Sequence, residues 1–157
     1  MNFLKKNHEH QKSNIYAVSK KYIILLLVFF FAFNLSAQEK PVKIVFDVTS
    51  SNTKVHQATV RHVKMMANAY PESEFEVVMY SGSIDMVLKE KSAVASDIAA
   101  LVKNKNIKFI VCEGTMKRHK VDKSQLISGI ETVPDGILEI ITKQAEGWGY
   151  IKESNNN

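Results

Sequence analysis

A single cysteine, three prolines and one tryptophan serve a chain of 157 residues, and each shortage removes a class of protein. With only Cys112, the chain forms no internal disulfide and lacks the paired thiolates of a zinc finger or ribbon. No HExxH pattern occurs, so no metal site is expected. Neither GxGxxG nor GxxxxGK[ST] is present. Those glycine turns let backbone N–H groups cradle phosphates, and without them no nucleotide or other cofactor is expected. The longest apolar run, residues 22–33, holds 12 residues, short of the roughly 20 that cross a bilayer as a helix.

That run has a telling context. Lys20 and Lys21 precede it, and Asn34-Leu35-Ser36-Ala37-Gln38 follows. Basic, apolar and small residues in that order make a secretory signal peptide, cut after Ala37. The expected organisation is a signal over 1–37, a folded domain over 38–152 and a polar tail over 153–157. The product is then exported, to the periplasm. The alternative is a retained N-terminal membrane anchor, to which the long basic leader lends weight. Lipid attachment is excluded, because it requires a cysteine just after the apolar run. Residues 1–37 carry five Lys and one acid, Glu9, which is +4 of the chain's net +5, so the remainder is only +1. The domain therefore has no basic excess to recommend nucleic acid as a partner, and after cleavage it has no membrane segment.

Beyond the leader the pattern alternates. β-rich runs at 42–48, 75–80, 107–112 and 130–133 predict four strands, and 148–151 predicts an edge strand. Between them, 54–69 has helical spacing and stops at Pro71. Short helices are expected over 84–88 and 93–102. Residues 113–118 read as a loop or short helical turn, and 122–126 as another turn. A last helix is expected from Pro134-Asp135 to about Ala145, ended by Gly147. Met65-Met66 reads as helix core. Strands separated by helices predict an α/β fold, a mainly parallel sheet of four to five strands with helices on both faces. In such sheets chemistry sits beyond the carboxyl ends of the strands.

Cys112 ends the third strand, on that rim. Lys117, Arg118, His119 and Lys120 follow it, and a helix start or nearby cations favour the thiolate. Glu113 opposes that if it points the same way. The plain alternative is a buried cysteine acting as a small hydrophobe. His56, in the first turn of the first long helix, would make a nucleophile–base pair with Cys112 if strands one and three were neighbours; otherwise it is an ordinary packed histidine. Asp47 faces the same rim, or ties down the loop after its strand. The basic run 117–120 either attracts an anion or is a solvated loop.

Several segments together resemble the DsrE/DsrF-like family. They are 42–47 followed by a His-opened helix, Phe109-Ile110-Val111-Cys112-Glu113-Gly114-Thr115-Met116-Lys117, Val133-Pro134-Asp135-Gly136-Ile137-Leu138-Glu139-Ile140, and Glu146-Gly147-Trp148-Gly149-Tyr150-Ile151. The resemblance implies a three-layer αβα sandwich and a homo-oligomer, a trimer or hexamer. In relay members of the broader family a cysteine after a central strand carries sulfur as a persulfide, and Cys112 matches that place. The expectation is a persulfide carrier that takes sulfur from a donor and passes it to an acceptor protein. Lys117 would steady the sulfur charge and His56 would shuttle a proton. The competing expectation is a non-catalytic oligomeric module that binds a small anion or a protein partner.

Overall fold

The computed structural model describes residues 40–154. The expected signal, 1–37, and the last three residues of the expected tail lie outside them. Five strands form one sheet: β1 Lys43–Val48, β2 Glu74–Met79, β3 Ile107–Cys112, β4 Glu131–Val133 and β5 Gly149–Glu153. Their order is β4-β3-β2-β1-β5, and every neighbouring pair is parallel. Helices α1 Thr53–Ala69, α2 Ala95–Leu101, α3 Glu113–His119 and α4 Gly136–Ala145 connect them, with 3₁₀ turns at Ser81–Val87 and Lys123–Gln125. The α/β class and the parallel sheet are those expected from the sequence.

The strand order decides where the helices go. From β1 to β4 the chain steps one way across the sheet, and right-handed crossovers then put α1, α2 and α3 on one face. The connection from β4 to β5 runs back across the sheet, which sends α4 to the other face. Side-chain alternation follows the same split. Phe46, Val48, Phe75, Val77, Met79, Phe109 and Val111 pack with Val55, Val63, Ile98 and Met116 in the larger core. Val45 and Val78 meet Ile140 of α4, with Tyr80 and Trp148 at the margin.

Local chemistry sets the helix ends. Asn52 caps α1, its Oδ1 accepting from the Lys54 N–H at 2.9 Å, and Pro71 prevents continuation. Asp135 caps α4 by accepting from the N–H groups of Ile137 and Leu138. The last helix therefore begins at Gly136, two residues after the expected start. Residues 113–118 take the helical of the two forms expected for them, with Cys112 at the N-cap position and Lys120 ending the helix in the left-handed region at φ 54°. β5 runs further than expected. Glu153, assigned to the polar tail by sequence, is buried and accepts from His62 Nδ1 at 2.8 Å. Met65 is 59% exposed, outside the core expected for it.

The α4 face departs from the continuous apolar run of a doubly covered parallel sheet. It buries two carboxylates, Asp47 and Glu76. Glu76 stands in mid-strand, where β2 pairs it with Val45 and Lys108. Burial, reinforced by the Glu139 carboxylate, outweighs the attraction of Lys143 and pushes Glu76 up to about 7. An acid raised in the folded state favours folding when protonated. Its contribution is full below the ordinary carboxylate value and is lost as pH rises through about 7. Urea unfolding across this range should show stability falling by up to about 3 kcal/mol from this group. Glu76→Gln should flatten that part of the curve; an unchanged pH profile would contradict the assignment.

Candidate functional site

All five strands point one way, so their carboxyl ends make one rim. Cys112 closes β3 there, on the α4 face, and the β2–β3 register places Tyr80, just after Met79, beside it. Cys112 is also the N-cap residue of α3, at φ −69° and ψ 122°. It is 9% exposed, and its Sγ lies 3.8 Å from the Pro134 carbonyl oxygen.

Several donors converge on that sulfur. Burial pushes the thiol up, but the Gly136 N–H at the start of α4, the Thr115 N–H and hydroxyl, and the Gly114 N–H oppose it. The net effect lowers the thiol below its ordinary value. Two chain segments therefore share the solvation of one thiolate, each through groups left without partners at a helix start. Thr115 Oγ1 accepts from the Ser81 N–H at 3.0 Å, so its own proton remains free to donate. Ser81 holds a left-handed φ of 58° to make that bond, a strain on the order of 1 kcal/mol for a residue with a side chain.

Glycine makes the close approach feasible. A Cβ on Gly136 would stand 3.2 Å from Cys112 Cβ and 3.3 Å from Val78 Cγ1. A Cβ on Gly114 would lie 3.5 Å from Cys112 Sγ.

A second polar group lies across the rim. Asp47 Oδ2 accepts from the Tyr150 hydroxyl at 2.7 Å, and its Oδ1 accepts from Lys152 Nζ at 3.0 Å. Lys152 also donates to Thr49 Oγ1 at 2.9 Å, and its ammonium lies 5.8 Å from the Tyr80 ring centre. Asp47 therefore holds the edge strand β5 rather than only its own loop. Burial and Asp47 push Tyr150 up to about 12. Burial, then Asp47, also raise Tyr80, with Cys112 adding to the effect. Both phenols stay neutral at any physiological pH.

The residues proposed from sequence fare differently. His56 is not brought to Cys112. β2 separates β1 from β3, a gap of about two strand spacings. His56 is 1% exposed, with Nε2 2.7 Å from the Ser50 carbonyl oxygen, so it braces the loop before α1. Lys117 is exposed in the last turn of α3, about 7 Å along the axis from Cys112. The groups that lower the thiol do not include it. Glu113 turns away, accepting from Thr132 Oγ1 at 2.7 Å and pairing with Lys123 at 3.0 Å. The basic run 117–120 is exposed.

Thr115, Gly136 and Tyr80 were not singled out from sequence. The spacing of Thr115, three residues after a helix-capping Cys112, carried the only local signal. A hydrogen bond to a charged group is worth about 1.5–3 kcal/mol. Thr115→Val should therefore raise the Cys112 thiol, read from the pH dependence of alkylation. Thr115→Ser should restore it. An unshifted profile in the valine variant would remove the hydroxyl from the site.

Comparisons with known proteins bear on the fold. A search of curated proteins finds no match. Solved structures share the architecture, among them the following three. The protein of unknown function MTH1491 from Methanobacterium thermoautotrophicum aligns with TM-score 0.66 and 23% identity, over 71% of this chain and 98% of its own. The conserved protein of unknown function BT1422 from Bacteroides thetaiotaomicron aligns at 0.59 and 15%, over 75% and 97%. The ychN protein from E. coli aligns at 0.58 and 10%, over 71% and 97%. At these identities the likeness speaks for the fold alone. The family model describing the DsrE/DsrF-like family matches residues 43–152, nearly all of the described domain, and the chain belongs to that family.

Proposed function

We propose that this protein handles sulfane sulfur, holding it as a persulfide on Cys112. The convergence of the Gly136, Thr115 and Gly114 donors on one sulfur carries this reading. A thiolate stabilised by fixed dipoles is a nucleophile at neutral pH without a neighbouring base. The Cys112 thiolate attacks the outer sulfur of a donor R–S–SH. A bond forms between Sγ and that sulfur, the donor's S–S bond breaks, and R–S⁻ leaves and takes a proton from water. An acceptor thiolate then attacks the same outer sulfur and releases the Cys112 thiolate. The exchange is redox-neutral. The backbone donors that serve the thiolate also serve the persulfide anion, which carries the same charge one atom further out.

Export to the periplasm through cleavage after Ala37, and assembly into a homo-oligomer, belong to the same proposal. Exposed Tyr150 and Ile151 on the edge strand β5 supply apolar surface for assembly. A second reading, a non-catalytic module for a small anion or a protein partner, draws on the low exposure of Cys112 and the solvated basic run 117–120. Intact mass before and after a polysulfide donor separates the two. The proposal expects a reducible gain of one sulfur atom, absent in Cys112→Ser. No gain in folded protein whose thiol reacts only after denaturation would favour the binding module.

A further inference from the structure

α4 is the one described helix on its face of the sheet, and it is thinly held. Of its ten residues only Gly136 and Ile140 are buried. Its first turn lies over Cys112 through the Gly136 N–H. Its second half carries Lys143, whose Nζ is 3.4 Å from Glu76 Oε2. Glu76 is 1% exposed, and its other oxygen, Oε1, has no hydrogen-bond partner. A carboxylate placed so has lost its water without full replacement. Its charge and the seated helix are in conflict.

The surrounding charges do not resolve that conflict. From α4, Lys143 is shared with Glu139 at 3.4 Å and Glu146 at 3.9 Å. From β3, Lys108 is the register partner of Glu76 but pairs with Glu131 at 3.7 Å. On β2, Glu74 is bound to Lys43 at 2.9 Å, and β1 offers the uncharged Val45. Lys105 lines a cavity of roughly 110 Å³ together with Glu76, Lys143 and Trp148. Among the described residues Lys143 is thus the one cation in contact with Glu76, divided among three carboxylates.

We propose that α4 is a proton-sensitive lid over Cys112: ionisation of Glu76 loosens the helix from the sheet, and protonation seats it. The direction follows from linkage. Lifting α4 returns Glu76 to water, where a carboxyl keeps its ordinary value of 4.5, whereas the seated helix holds it at about 7. The seated form binds the proton more tightly, so raising the pH through about 7 favours release. Release uncovers a thiol that is 9% exposed when the helix is seated. The lid concerns access to Cys112 by any reagent and stands apart from the sulfur chemistry.

Trp148, the only tryptophan, reports on the lid because Lys143 lies 4.9 Å from its ring centre. The test follows Trp148 fluorescence and the rate of Cys112 alkylation by a bulky neutral maleimide on the purified full protein, from about pH 5.5 to about 9. A fluorescence step near 7 is expected. The alkylation rate, corrected for thiolate fraction, should rise on the order of tenfold over the same range. Glu76→Gln should abolish both steps. Lys143→Met, which removes the opposing cation, should move the midpoint upward. A fluorescence step unchanged in both variants, or a wild-type rate that follows thiol ionisation alone, would overturn the lid.

Discussion

The return of the chain from β4 across the sheet to β5 is the constraint on which the rest depends. Because β1 to β4 are laid down in one direction, their helices share a face, and only the returning segment can cover the other. That segment is α4. Its start must clear the end of β3, and this brings the Gly136 N–H to Cys112. Its end must drop into β5 beside β1, and this brings Tyr150 and Lys152 to Asp47. One crossover therefore supplies one of the thiolate's four donors, the Gly136 N–H, and both donors of the clamp on the edge strand.

The two faces differ in kind. The α1 face is an apolar core filled by Phe46, Phe75 and Phe109, none of them accessible by more than 1%. The α4 face is thin and polar, with Asp47, Glu76, Tyr80 and Cys112 in or near one layer. Buried polar groups of this sort cost stability unless each is paired. Asp47 is paired through two donors, and Cys112 through several. Glu76 is paired through one oxygen only, with a shared Lys143, and this weak point of the fold falls under the same helix that covers the thiol.

Much of the scaffold was legible in the sequence. β-branched runs marked every strand, and Pro71 and Asp135 marked helix ends, because those signals act within a few residues. The short helix after Cys112 was harder to recognise, since seven residues carry little periodicity and Gly114 lowers helix propensity. The site was only half legible. Cys112 stood out as a lone thiol at a strand end, but pairing it with His56 required strands one and three to be neighbours, and strand order is a long-range property. Lys117 drew attention by its charge, whereas the groups that act on the sulfur are backbone N–H donors, which every residue but proline possesses. Gly136 reaches Cys112 from 24 positions along the chain, a meeting set by the crossover and invisible to any local pattern.

The central claim is that fixed dipoles from the starts of α3 and α4 lower the Cys112 thiol despite its burial. The most direct test is an ultraviolet titration of thiolate absorbance in the native protein, with Cys112→Ser as the blank. The account predicts a midpoint below that of an ordinary thiol, returning to the ordinary value on unfolding in urea. A native midpoint at or above the unfolded one would mean that burial wins at this position, and that Cys112 is a core residue rather than a nucleophile.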